Sequence, residues 1–215
     1  MLVHNGSILD PKDISKFSLV DNKYKTYFDG SDLSQWVIKT RRGEADGVIV
    51  KEIDLNDNIW WSVEDNLLKV KNGPDEIGST LWTKNSFENF RVRLDFKFIE
   101  GNIDSGIFMR GSDHLNPQIQ IGVSGSLKRD MTGSPYIPKK GYPKEATKVK
   151  SLLKMNDWNN MVAEAIGNRY RVWLNGEQVM DYIMEDANLN GPVGIQLHSK
   201  REMEIWYKSI DIASF

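Results

Sequence analysis

The fold class is decided by one eight-residue stretch, Arg91-Val92-Arg93-Leu94-Asp95-Phe96-Lys97-Phe98. Every second residue is apolar and every residue between is charged, which is the pattern of a half-buried strand. Asn175-Gly176 predicts a two-residue hairpin turn because both residues tolerate positive φ, and helical patterning is confined to Lys148–Lys154. Further strands are predicted at Ser105–Arg110, Gln118–Val123, Asn160–Ile166, Tyr170–Leu174, Val193–His198 and Glu202–Ile212. The chain is therefore predicted to be all-β, a sandwich or a barrel.

Length and composition narrow the class of partner. The 215 residues fit one sandwich domain, which we place at residues 24–215, after an N-terminal arm at residues 1–23 with a short amphipathic piece around Asp13 to Val20. A net charge of −2 offers no field for nucleic acid or anionic lipid. The lack of cysteine excludes disulfides, thiolate metal sites and a cysteine nucleophile.

No apolar run approaches the ~18 residues of a membrane span, and no signal peptide is evident. We therefore expect a cytoplasmic protein, or a mature or recloned form of a periplasmic or secreted one.

One segment, Ser124–Asp157, reads as a loop. It carries eight basic residues opposed by Asp130, Glu145 and Asp157. Because loops beyond ~12–15 residues in a compact domain are usually functional or disordered, two interpretations stay open: a solvated basic flap or a lid over a binding site.

Several fragments, in order along residues 24–215, resemble the 3-keto-disaccharide hydrolase domain family. They are Phe28-Asp29-Gly30, Trp61–Leu68, Leu81-Trp82-Thr83, Asn102–Arg110, Trp158-Asn159, Arg169–Gly176 and Gly191–His198. The resemblance implies a concanavalin A-like fold, a two-sheet antiparallel jelly-roll sandwich, and cleavage of glycosides oxidised at C3. In that chemistry a base removes the acidified C2 proton, the C1 substituent leaves, and water adds to complete a net hydrolysis.

Alternation also predicts which polar side chains share a face. Gln118 is predicted to share a face with Gln120, and Gln196 with His198. Glu204 is predicted to share a face with Trp206 and Lys208. If their strands are neighbours, these groups form a polar face with an aromatic platform, as a sugar requires. The alternative is that the outward face of any half-exposed strand is polar. A change of parity before Ile210 predicts a bulge.

The candidate roles follow from these faces and from the resemblance. The catalytic candidates are His198, Arg110, Asp104 and Glu204, and the saccharide-binding candidates are Gln118, Gln120, Gln196, Lys208, Trp82, Trp206 and Tyr136. His198 is the expected base. Arg110, Lys208 or a divalent metal ion is expected to stabilise the enolate oxygen, although Arg110 could instead pair with Asp104 or Asp113. His4 and His114 lack such a context, and of the adjacent Trp60 and Trp61 one is expected in the core and one exposed.

The chain departs from the family at one place. Where the family commonly reads E-x-Q-I-x-D, this sequence has Gln118 and Val123 in the carboxylate positions. Three hypotheses remain: an enzyme whose acid–base work rests on His198, Asp104 or Glu204, a non-catalytic carbohydrate-binding module, and a structural sandwich with no sugar site. An exposed tryptophan among amides favours the module, and His198 facing a carboxylate in a closed pocket favours the enzyme.

Overall fold

A computed structural model describes residues 24–44, 47–72, 76–112 and 115–215, apart from the side chains of 41–51, and the backbone of two short N-terminal strands, Leu2–His4 (β1) and Ser7–Leu9 (β2). The predicted amphipathic piece around Asp13 to Val20 lies outside the described residues, as do Asp113 and His114. Within the described part of the chain, no helix has the length and apolar character that crossing a membrane requires.

The remaining elements are almost entirely strands. They are β3 (Lys25–Phe28), β4 (Trp36–Glu44), β5 (Gly47–Ile53), β6 (Trp61–Glu64), β7 (Leu67–Lys71), β8 (Ser79–Phe87), β9 (Phe90–Gly101), β10 (Asp104–Met109), β11 (Gln118–Gly122), β12 (Pro135–Tyr136), β13 (Asn159–Ile166), β14 (Arg169–Leu174), β15 (Glu177–Ile183), β16 (Gly191–Leu197) and β17 (Met203–Ser214). A 3-10 turn spans Leu55–Asp57, and one helical turn, α1, spans Val149–Leu152.

The strands form two sheets that face each other. The seven-stranded sheet has the order β12-β11-β10-β16-β8-β4-β5, and the eight-stranded sheet the order β15-β14-β13-β9-β17-β7-β6 with β3 paired to β17. Neighbours within both sheets are antiparallel, as in the β10–β16 and β9–β17 pairs. The predicted two-sheet antiparallel sandwich is confirmed.

The core lies between the sheets and follows the alternation of their strands. In β9, Val92, Leu94 and Phe96 are fully buried, while the charged residues between them turn to the outer face. The Tyr207 hydroxyl from β17 lies 2.9 Å from Ser105 Oγ on β10 and so joins the two sheets through the core. The bulge expected before Ile210 is present as a register shift between Tyr207 and Ser209.

Two local predictions have different outcomes. Asn175 and Gly176 adopt φ of 49° and 88° and form the predicted turn between β14 and β15. The expectation that one of Trp60 and Trp61 is exposed is wrong, because both are buried. Trp60 precedes β6, so strand alternation does not apply to it, and its indole donates to the Ile77 carbonyl at 2.8 Å.

Candidate functional site

The polar side chains predicted on β11 and β16 meet on the outer face of the seven-stranded sheet. The register places Gly106 of β10 between Gln120 and Gln196. Because Gly106 has no side chain, the amide of Gln118 lies directly over it, where a Cβ would come within 2.3 Å of the Gln118 Nε2. That amide donates to Gln196 Oε1 at 2.6 Å. The missing side chain at position 106 therefore lets glutamines from β11 and β16 form one polar pair.

A chain of hydrogen bonds runs beside this pair. The Tyr142 hydroxyl donates to Gln120 Oε1 at 3.0 Å, and Gln120 Nε2 donates to Asp104 Oδ1 at 2.9 Å. The other carboxylate oxygen of Asp104 accepts from Arg201 Nε at 3.4 Å. Burial raises the pKa of Tyr142 to about 12, so the phenol remains a neutral donor at physiological pH. Both oxygens of the buried Asp104 carboxylate are thus engaged.

These groups line an open cleft of about 370 Å³, within the size range of small-molecule sites. The long loop Ser124–Asp157 forms one wall of it through Ser124, Ser126, Tyr136 and Tyr142. The eight basic side chains of the same loop are exposed. The loop therefore has features of both interpretations: it walls the cleft, and its charges are solvated.

An aromatic platform lies on the same face. The half-buried ring of Trp82 stacks on Phe108, with ring centroids 5.1 Å apart and planes 22° apart. The ring has space because residue 194 is glycine: a Cβ there would lie 2.6 Å from the indole. Trp82 and Phe108 line a second depression that shares Gln196 and His198 with the cleft, and a third depression shares Trp82 with the second. We call these three connected depressions the groove.

His198 lies where the cleft and the second depression meet. Its Nδ1 is 2.6 Å from the Ser199 carbonyl oxygen. Because a carbonyl only accepts, Nδ1 carries the proton, and in the neutral ring Nε2 carries the lone pair. The arrangement leaves Nε2 competent to accept a proton, although the partner of the ring is a backbone carbonyl and not a carboxylate.

Arg110 lies outside the groove. It directly follows β10 and has φ of 75°, so strand alternation does not set the direction of its side chain. It is 1% exposed and donates to the carbonyls of Glu88 and Gly167 and to the Tyr170 hydroxyl. These contacts tie the two sheets together at one end of the sandwich, and none of them involves Asp104.

Glu204, Trp206 and Lys208 do share a face, but on the opposite side of the molecule. Their strand, β17, belongs to the eight-stranded sheet, so the hypothesis that they join the glutamines in one site is wrong. The Trp206 indole donates to Glu204 Oε1 at 2.6 Å, and the ammonium of Lys69 lies 5.0 Å from the Trp206 ring centre. Lys208 lies 6.0 Å from the Trp158 ring.

The residues of the cleft do not fit a divalent metal ion. Among the described residues, no three His, Cys, Asp or Glu side chains cluster as metal ligands. The cleft offers glutamine amides and a single carboxylate, Asp104, whose oxygens already accept from Gln120 and Arg201. Hard divalent cations prefer several carboxylate or carbonyl oxygens, so the expected metal finds no donor set here.

Sequence reasoning missed Arg201 and Tyr142. Arg201 follows β16 in a turn where Lys200 has φ of 59°, so no alternation indicates its direction. Tyr142 lies in the long loop, where only its closeness to Tyr136 in the sequence hinted at a role. The rings of Tyr136 and Tyr142 lie 5.2 Å apart, at the edge of the cleft.

Comparisons with known proteins agree with the fold. A crystal structure of a candidate glycosyl hydrolase from Parabacteroides distasonis ATCC 8503 is similar at 18% identity and a TM-score of 0.62, covering 97% of this chain and 98% of that one. A second such structure from the same organism has 21% identity and a TM-score of 0.60, covering 90% and 100%. A β-1,3-glucanase from Mycobacterium marinum has 9% identity and a TM-score of 0.58, covering 88% and 97%.

No curated protein matches the chain. The family model described as the 3-keto-alpha-glucoside-1,2-lyase-like domain matches residues 23–213, nearly the whole length. The chain therefore belongs to the family of 3-keto-alpha-glucoside-1,2-lyase-like domains.

Proposed function

We propose that the chain binds a saccharide in the groove of the seven-stranded sheet. The observation that carries this is the Trp82 ring, stacked on Phe108 beside the Gln118–Gln196 pair. A sugar ring offers an apolar C–H face to an aromatic platform and hydroxyls to amides. The bond within the glutamine pair uses the amide N–H of one and the carbonyl of the other. The side-chain carbonyl of Gln118 then remains to accept a hydrogen bond from a hydroxyl, and an amide N–H of Gln196 remains to donate one.

The proposal is supported by the kinds of protein that share this fold and family. The family description names a lyase of glucosides, and the structural relatives are a β-1,3-glucanase and candidate glycosyl hydrolases. Sugar recognition is common to all of these descriptions.

Calorimetric titration with a panel of oligosaccharides tests the proposal. We expect Trp82→Ala to lower affinity about fivefold for every ~40 Å² of apolar surface that the complex no longer buries, since that area corresponds to about 1 kcal/mol. Trp206→Ala is the matched control, because its indole is also half-buried but lies on the opposite sheet. Loss of binding in Trp206→Ala alone would show that the saccharide binds on the eight-stranded sheet instead. If the wild type binds none of the oligosaccharides, the proposal is refuted.

A second candidate function is cleavage of a 3-keto-glycoside in the same groove. It is favoured by His198, whose Nδ1–H is held by the Ser199 carbonyl and whose Nε2 is left basic. In this hypothesis Nε2 takes the C2 proton, the C1–O bond breaks, and the imidazolium returns the proton to the departing oxygen. Water then adds to the unsaturated ketone. The enolate oxygen would be stabilised by the Arg201 guanidinium, which lines the cleft. Arg110 and Lys208, the residues expected from the sequence, do not line it.

Product release from 3-keto and ordinary disaccharides tests this second function. His198→Ala is expected to lower turnover at least about a hundredfold, the usual contribution of a general base, while saccharide binding persists. Arg110→Met, measured under conditions where it is folded, should retain turnover. Saturable binding without turnover on any substrate would leave the chain as a carbohydrate-binding module.

A further inference from the structure

The groove carries more positive than negative charge. The described residues that line it include Lys39, Lys84 and Arg201, with Asp104 as the one carboxylate. The chain as a whole has a net charge of −2. The excess of positive charge is therefore a local property of the groove and not of the molecule.

Two of the cations lie at the aromatic end of the groove. Lys39 stands on β4 opposite Thr80, two pairs along from the Val37–Trp82 pair and on the same face, and its side chain is half-buried. Glu52 is its cross-strand neighbour on β5, yet within the described chain no carboxylate lies within ion-pair distance of the Lys39 ammonium. Lys84 donates to a backbone carbonyl, that of Ser34, at 2.7 Å, and a carbonyl carries no opposing formal charge.

The third cation lies at the other end. Arg201 meets Asp104 only through a long contact of 3.4 Å, and its Nη1 meets the Lys200 carbonyl at 3.3 Å. Gln120 shares the Asp104 carboxylate. The guanidinium thus retains capacity for a further anionic partner.

We infer that the saccharide is acidic, an oligomer that carries carboxylate or sulfate groups. This inference rests on the proposed binding of a saccharide in the groove. Lys39 on β4 is separated from Asp104 on β10 by two intervening strands, so the backbones at the two ends of the groove lie about 14 Å apart across the sheet at ordinary strand spacing. One anionic group cannot reach both ends, whereas successive acidic units of one chain can.

The experiment compares three oligosaccharides of equal length by calorimetry: an oligogalacturonate, a sulfated oligosaccharide and a neutral cello-oligosaccharide. We expect at least one acidic ligand to bind about tenfold tighter than the neutral one, with affinity falling as salt is added. The carboxylate and sulfate arms show which anionic group is recognised. A monosaccharide uronate should bind more weakly than its oligomer.

Lys39→Gln should lower affinity for the acidic ligand about fivefold, as for a partly exposed charge contact, and should lower affinity for a neutral ligand less. Lys97→Gln is the matched control, a half-buried lysine in mid-strand on the outer face of the eight-stranded sheet. Salt-insensitive binding of the neutral ligand, as tight as that of the acidic ones, would overturn the inference and leave saccharide binding intact. Equal losses in both variants would also overturn it, as non-specific attraction. Binding of none of the three ligands would remove the proposed function and the inference together.

Discussion

Replacing Arg110 by methionine should destabilise the fold and leave the groove intact. Methionine keeps much of the aliphatic length but removes the guanidinium, which donates to the Glu88 carbonyl through Nε at 2.8 Å and to the Gly167 carbonyl at 2.8 Å. Position 110 is 1% exposed, so solvent has little access to these acceptors. Each unsatisfied buried acceptor costs about 1–3 kcal/mol. Relief from burying a charge offsets part of the sum, and we expect a net loss of about 3 kcal/mol.

Urea unfolding followed by tryptophan fluorescence measures this loss. The control is Arg93→Met, whose ion pair with Asp211 is 43% exposed on the arginine side and should be worth less than about 1 kcal/mol. A loss below about 1 kcal/mol in Arg110→Met, together with abolished saccharide binding, would refute the structural role. It would return Arg110 to the functional role that the sequence suggested.

Three further outcomes are expected. Gly194→Ala would place a Cβ 2.6 Å from the Trp82 indole, so the ring must retreat by about 0.8 Å to reach an ordinary contact of 3.4 Å; saccharide affinity measured by calorimetry should fall while the melting temperature changes little. Glu164→Gln removes a 1% exposed carboxylate that pairs with the guanidinium groups of Arg91 and Arg171, and the free energy of unfolding in urea should drop by about 3 kcal/mol. The pKa of Tyr142 is raised from 10.0 to about 12 in the folded state, so the protonated phenol contributes fully to the free energy of unfolding below pH 10, and this contribution is lost as the pH rises to 12. In denaturant titrations, the free energy of unfolding of Tyr142→Phe should therefore decline less than that of the wild type between pH 10 and pH 12.

Alternation in the sequence sufficed to predict strands at Arg91–Phe98 and in six later segments, and the faces that their polar side chains share, because alternation is a local property. It could not assign strands to sheets, because pairing joins distant segments. β10 lies beside β16, and β9 beside β17, across roughly a hundred residues. The faces of Gln196 and Glu204 were both predicted as outward, yet one faces the groove and the other the opposite side of the sandwich.

The remaining errors fall where the chain leaves extended geometry. Arg110 has φ of 75° and Lys200, just before Arg201, has φ of 59°. Trp60 lies ahead of its strand. At such positions the side chain direction is set by the turn and by the groups it meets, so a two-residue period indicates nothing about it.

Gln118 occupies a position where the resemblance expects a carboxylate, and the groove is built around the amide. Its N–H donates to Gln196 Oε1 at 2.6 Å, which a carboxylate cannot do. Glutamate there would oppose two acceptors unless the Gln196 amide reversed. Asp104 is held on both oxygens by Gln120 and Arg201. Of the described residues that line the cleft, His198 is the one whose ring presents a nitrogen lone pair, at Nε2, because its Nδ1 faces the Ser199 carbonyl. We therefore expect proton transfer in this groove to pass through His198, and loss of turnover in His198→Ala with saccharide binding retained is the result that separates an enzyme from a binding module.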